Sequence, residues 1–255
     1  MNPEQLKQQW LKEEENARII GWDFSYLSGR YKEEDDLPWD YRALVLERLN
    51  KETDLLDMET GGGEFLLSLN HPYHRTAATE GYPPNIKVCE NTLLPLGIDF
   101  KAADGEDKLP YPDGRFDLVV NRHGSYNVDE IKRTLREGGA FITQQVGAFN
   151  DRELTDLLLP GTPLPYPDQR LDKAKSDLES AGLRVVQAME AFRPIKFYDT
   201  GALVWFAKII EWEFPGFSVE KCFDRLLVAE RQVRENGHVA GRIHRYCLVA
   251  EKKAD

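Results

Sequence analysis

Between residue 54 and about residue 252, short apolar runs alternate with stretches of helical spacing. The runs DLLDM (54–58), TAATE (76–80), IDFKAAD (98–104), FDLVVNR (116–122) and AFITQQV (140–146) are five to seven residues long and read as strands. Between them GEFLLSLN (63–70), PNIKVCENTLLPLG (84–97) and VDEIKRTLREGG (128–139) carry apolar residues at helical spacing. LDKAKSDLESAGL (171–183) reads as a further helix and RVVQAMEAF (184–192) as a further strand. Strands alternating with helices form βαβ units, which implies a parallel sheet with right-handed crossovers.

The pattern differs at both ends. Residues 3–17 are polar and helical, with Leu6, Trp10 and Leu11 on one side. The stretch GWDFSYLSGRYKEEDDLPWDY (21–41) is rich in Gly, Ser, Asp and Pro and reads as loop. Pro38 sits at a natural first helical position, so a helix is expected to follow it through residue 50. Late in the chain, 197–214 and 222–237 read as two consecutive helices, and RIHRYCLVAEK (242–252) as a final strand. The expected division is an N-terminal helical cap over 1–50 and an α/β domain over 51–255, with a helical insertion at about 200–236.

Charge narrows the partners. Lys and Arg total 33 against 44 Asp and Glu, for a formal net charge of -11. Such a surface repels phosphate backbones, so nucleic acid is a disfavoured partner and a small molecule a favoured one. The first twenty residues contain no apolar signal-peptide core, and no run approaches about 18 apolar residues. The expectation is a cytoplasmic protein without a membrane partner. Cys89, Cys222 and Cys247 form neither a CxxC pair nor an even disulfide set, and read as small buried hydrophobes.

The sharpest local chemistry lies in LLDMETGGGEFLLSL. An apolar strand ends at Asp57, a glycine cluster (Gly61, Gly62, Gly63) turns the chain, and a helix begins near Glu64. Glycines there permit a tight turn and close approach of a ligand to the backbone. A Walker loop needs Lys and then Ser or Thr after its last glycine, but Glu64 and Phe65 follow Gly63. A dinucleotide fingerprint needs a third glycine where Leu66 stands, and Glu64 would repel a pyrophosphate. A ligand that carries cations and no phosphate suits this acidic loop.

Asp57-Met-Glu-Thr-Gly-Gly-Gly resembles motif I of the class I S-adenosylmethionine-dependent methyltransferases, an acidic residue followed by three spaced glycines. The resemblance continues in order over about two hundred residues. Glu80 matches the carboxylate that binds the ribose hydroxyls, and Asp104 the one that recognises the adenine amino group. LPYPDGRFDLVVNRHGSY (109–126) resembles the fourth strand with its active-site end, and REGGAFITQQVG (136–147) the fifth. The family implies S-adenosylmethionine as cofactor, held by Asp57, Glu59, Gly61, Gly63, Glu80, Gly81, Asp104, Gly105, Glu106, Asn121 and Arg122. One departure stands out, because Glu59 replaces the first glycine of the motif. Its carboxylate could face the cofactor's amino group or close the loop.

The implied fold is an α/β Rossmann-like, mostly parallel seven-stranded sheet with helices on both faces, an antiparallel last strand and a helical substrate cover. His123, just past the fourth strand, is the candidate general base, although methyl transfer can proceed by alignment alone. Trp39, Tyr41, Tyr198, Trp205 and Phe206 are candidates for the substrate cover, with Trp22 as a further aromatic of the N-terminal wall. No metal is expected, since the H-x-x-H of His71 and His74 stands alone. Arg231, Arg234, Arg242 and Arg245 read as a solvated helix and strand end. The functional expectation is in-line methyl transfer to a small molecule. An RNA methyltransferase and a non-catalytic S-adenosylmethionine-binding protein are the alternatives, with a nicotinamide-dependent oxidoreductase behind them.

Overall fold

The structure is a computed structural model, and it describes residues 2–18, 24–33 and 36–254. Trp22 lies outside the described residues. The chain divides into two compact units. Unit 1 comprises Met1–Leu37, Ala148–Pro167 and Ala191–His244, and unit 2 comprises Pro38–Gly147, Asp168–Glu190 and Arg245–Asp255. The first boundary between these units falls near residue 37, and unit 1 takes in 148–167, 191–199 and 237–244 besides 200–236.

Unit 2 holds the alternating pattern. Its strands are β2 (Leu55–Met58), β3 (Thr76–Glu80), β4 (Asp99–Ala102), β5 (Phe116–Arg122) and β6 (Leu135–Val146). β4, β3, β2, β5 and β6 lie side by side in that order, all parallel. The last part of β8 (Val239–Lys252) closes against β6 antiparallel, from Val146↔Arg245 to Ala140↔Glu251. Side chains alternate between two buried faces, as a sheet covered on both sides requires. Leu55, Leu118, Val120 and Ile142 pack under Tyr41, Val45, Leu66 and Cys89. These come from α2 (Tyr41–Leu46), α3 (Glu64–Ser68) and α4 (Pro83–Thr92). Leu56, Met58, Val119 and Phe141 face Ile131 of α5 (Val128–Thr134) and Ala174 and Leu178 of α7 (Leu171–Ser180).

Local chemistry corrects several expected boundaries. α2 starts at Tyr41, not at Pro38, because the Asp40 side chain accepts the Ala43 N–H and fixes the cap there. α5 stops at Thr134, and the backbone turns extended at Leu135 to begin β6. β7 (Leu183–Phe197) runs five residues past the expected strand.

Unit 1 is mainly helical. It contains α1 (Pro3–Asn16), α6 (Arg152–Leu158), α8 (Thr200–Ile209) and α9 (Val219–Asn236). α1 starts on a capping box between Asn2 and Gln5, α8 on Asp199 and α9 on Ser218. An eighth strand, β1 (Tyr31–Glu33), pairs antiparallel with Ile195–Phe197 inside the stretch expected to be loop. Three residues are too few for a hydrophobic alternation to show in sequence. Among the described residues no helix is long and apolar enough to cross a membrane.

Candidate active site

Ligands of open α/β sheets sit beyond the carboxyl ends of the strands. In unit 2 those ends gather four carboxylates. Asp57, near the end of β2, is 3% exposed and accepts the Thr60 hydroxyl at 2.7 Å. Burial raises its pKa to about 7, and Glu80 adds to the rise while Thr60 and Arg122 oppose it. Glu80 ends β3 and is equally buried, with its oxygens accepting the N–H groups of Gly61 at 2.7 Å and Tyr82 at 2.8 Å. Asp104, past β4, is exposed and accepts the Glu106 N–H at 2.9 Å.

Glu59 is the fourth. It holds the left-handed backbone of the glycine it replaces, with φ 54°, a conformation rare and strained outside glycine. Its carboxylate accepts the Gly105 N–H at 2.7 Å and the Gly81 N–H at 3.4 Å, tying together the segments that leave β3 and β4. Burial, with Glu80 beside it, pushes its pKa to about 7. Two glycines are required nearby. Gly63 caps α3 at φ 86°, where a Cβ would stand 2.8 Å from Leu93. A Cβ on Gly105 would stand 2.1 Å from the Ser125 carbonyl oxygen. Gly105 and Glu106 are also held to α5, since Asn127 N–H donates to the Gly105 carbonyl and Asn127 Nδ2 to that of Glu106.

The other half of the site is the end of β5. Asn121 is fully buried, and its amide donates to the Met58 carbonyl at 3.2 Å and the Ser125 carbonyl at 3.4 Å. Its oxygen accepts from Thr143 and Gln145. This side chain supports the loop geometry and turns inward. Arg122 is exposed, with its guanidinium over the Phe65 ring at 4.9 Å. His123 has φ 60° and is held there by its N–H on the Gln144 carbonyl at 2.8 Å. The protein around its ring, with Arg245 and Arg122 close by, lowers its pKa to about 3 although the residue keeps solvent contact. At neutral pH the imidazole is uncharged and a feeble base, which weakens the role assigned to it from sequence.

Gln144 and Phe65 escaped the sequence reading. Gln144 Oε1 accepts the Trp39 indole N–H at 2.8 Å and its Nε2 contacts His123 Nε2 at 3.1 Å. The available signal was the polar TQQ at the carboxyl end of an otherwise apolar core strand. Of the cover candidates, Trp39 and Tyr41 do belong to these strand ends, with the Tyr41 hydroxyl on the Asn121 carbonyl at 3.0 Å. Trp205 and Phe206 do not line an opening, being 1% and 6% exposed inside the core of unit 1. Tyr198 is exposed. His71 is occupied by the Thr53 carbonyl at 2.8 Å.

The donor set fits S-adenosylmethionine. Carboxylates at the ends of β2 and β3 suit a ligand with a sulfonium, an ammonium and vicinal hydroxyls, and would repel a pyrophosphate. The first turn of α3 is covered by its own acid, since a Cβ on Gly62 would stand 2.2 Å from a Glu64 carboxylate oxygen. Residues 56–143 match the family model described as a methyltransferase domain. The strand order is that of an α/β Rossmann-like sheet with helices on both faces, the architecture of class I methyltransferases.

The chain is 36% identical over 88 residues to a probable phthiotriol/phenolphthiotriol dimycocerosates methyltransferase of Mycobacterium ulcerans, covering 32% of this chain and 33% of that protein. It is 30% identical over 107 residues to a demethylmenaquinone methyltransferase of Thermus thermophilus, covering 40% and 48%. The matches thus span a third to a half of these relatives' lengths. The YcgJ protein of Bacillus subtilis shares the fold with a TM-score of 0.56 at 17% identity, over 84% of this chain and 99% of that one.

Proposed function

We propose that the protein transfers a methyl group from S-adenosylmethionine to a small molecule. The observation that carries this reading is the set of carboxylates, Asp57, Glu59 and Glu80, at the strand ends beside the glycine loop of a methyltransferase domain. Glu80, already fixed by two backbone donors, keeps lone pairs for a ribose diol. Asp104 and the Gly105–Glu106 turn suit the adenine edge, and Asp57 with Glu59 sets a negative field for the cationic end. The bound cofactor would supply a methyl group already activated for in-line displacement. What the protein adds is alignment and exclusion of water, which alone can account for much of such a rate. The relatives whose names specify dimycocerosates and demethylmenaquinone favour a small-molecule acceptor, and the net charge of -11 disfavours RNA. Three buried free cysteines agree with a reducing, cytoplasmic setting.

Calorimetric titration with S-adenosylmethionine and S-adenosylhomocysteine, with NADH as control, tests the cofactor. Saturable binding of the first two and none of NADH is expected, after which label from a methyl-labelled cofactor should pass to a member of a small-molecule panel. Silence toward both sulfur nucleosides overturns the reading.

A further inference from the structure

The end of β5 presents two donors whose orientation is settled by their neighbours. An indole N–H can only donate. The Gln144 oxygen therefore faces Trp39, at 2.8 Å, and its NH2 group faces His123. An NH2 group offers hydrogens only, so His123 Nε2, 3.1 Å away, accepts. A neutral ring that accepts at Nε2 carries its proton on Nδ1. The ring is neutral because the surrounding protein, Arg245 and Arg122 all oppose its charging. No residue among those described accepts from Nδ1–H, so this donor is left to solvent or a ligand.

Arg122 is the second donor. Several other arginines are tied to acids: Arg30 bridges Glu13 and Asp199, and Arg136 bridges Asp54 and Asp117. Arg122 makes no ion pair with any described residue and lies over Phe65 instead. A guanidinium without an ion pair among the described residues, next to a donor held in a strained backbone at φ 60°, marks a place built to hold something.

We propose that Arg122 and the Nδ1–H of His123 form a seat for an anionic oxygen, a carboxylate or an enolate-type oxygen, with Gln144 and Trp39 as positioning residues that fix the imidazole tautomer. The seat rests on the methyltransferase reading for its occupant, which is either the cofactor's own carboxylate or an oxyanion of the methyl acceptor. On this assignment His123 orients an oxygen and takes no proton from it.

Two measurements on the full chain test the seat. Nitrogen NMR of protein labelled in histidine should show the His123 proton on Nδ1 at neutral pH, and Gln144→Leu should let Nε2–H appear. A charged ring, or Nε2–H in the wild type, overturns the proposal. Calorimetry then compares S-adenosylhomocysteine with its decarboxylated form, in wild type and Arg122→Met. If the cofactor's carboxylate is the occupant, the wild type prefers the intact compound by about tenfold or more, as a charge-assisted pair implies, and Arg122→Met loses the preference. If the acceptor's oxygen is the occupant, Arg122→Met binds both compounds like the wild type. Benzoate added to the S-adenosylhomocysteine complex then shifts the His123 ring signals in wild type only. Neither preference nor benzoate response overturns the seat. Failure of both nucleosides to bind overturns the methyltransferase reading instead, and benzoate titrated into the ligand-free protein then decides the seat alone.

Discussion

Two groups of aromatic residues, one in each unit, look alike in sequence and differ in what their polar atoms do. In unit 1, Trp205 is stacked on Tyr26 at 5.3 Å and edge-on to Phe24 at 6.0 Å, and its indole N–H ends on the Asn16 carbonyl at 3.3 Å. Trp10 packs on Phe223 in the same core at 5.9 Å. These partners of Trp205 all belong to the helical unit itself. In unit 2, Trp39 and Tyr41 spend their polar atoms on the strand ends, on Gln144 and the Asn121 carbonyl. Aromatic content alone therefore does not mark a substrate wall. The partner of the N–H or O–H separates packing from positioning.

The contrast can be broken first at Trp205. Trp205→Ala should cost about 3–5 kcal/mol of stability, the usual cost of emptying a large aromatic from a core, read in urea unfolding. A change under about 1 kcal/mol would show that Trp205 is not core. Next comes Glu80→Ala, which removes a buried carboxylate hydrogen-bonded to the glycine loop. It should weaken S-adenosylhomocysteine by about tenfold to a hundredfold, given about 1.5–3 kcal/mol for a charged hydrogen bond. Unchanged affinity in a folded variant would remove Glu80 from the site.

A smaller effect follows from the raised carboxylates. The pKa values of Asp57 and Glu59 are raised to about 7 in the folded chain, against about 4 in an unfolded one. Between those limits the native state binds more protons, so their contribution to stability is intact below pH about 4 and falls as pH rises toward about 7. Both groups ionise more readily beside a cation, so S-adenosylmethionine should bind more tightly at pH about 8 than about 6, with proton release in calorimetry near neutrality. Equal affinity and no proton release would place the cationic end elsewhere. The smallest expected signal is thiol labelling. Cys89, Cys222 and Cys247 are buried, and burial pushes the Cys89 and Cys247 thiols to about 12. All three should stay unlabelled until the chain unfolds.

Much of unit 2 was legible because its signals are local. β3 and β5 match their apolar runs residue for residue, and the glycine cluster lies at the turn between β2 and α3. The carboxylates Asp57, Glu80 and Asp104 stand where their spacing from the strands put them. β1 was not legible, because its pairing with β7 is a contact between residues more than 160 positions apart. The surroundings of His123 were not legible either, since the groups that lower its pKa, Arg245 among them, include distant parts of the chain.

By itself the sequence determined the alternation of strand and helix and the acidic glycine loop, which disfavours phosphate-bearing ligands. Those follow from hydrophobic period, backbone permissiveness and charge, all of which act over a few residues. Only the tertiary structure decided that Glu59 bridges Gly81 and Gly105, that Asn121 faces inward, and that Trp39 acts through Gln144 on His123. Hydrogen-bond partners and the environments that shift a pKa are set by which segments fold together, and side-chain identity along one strand does not carry that information.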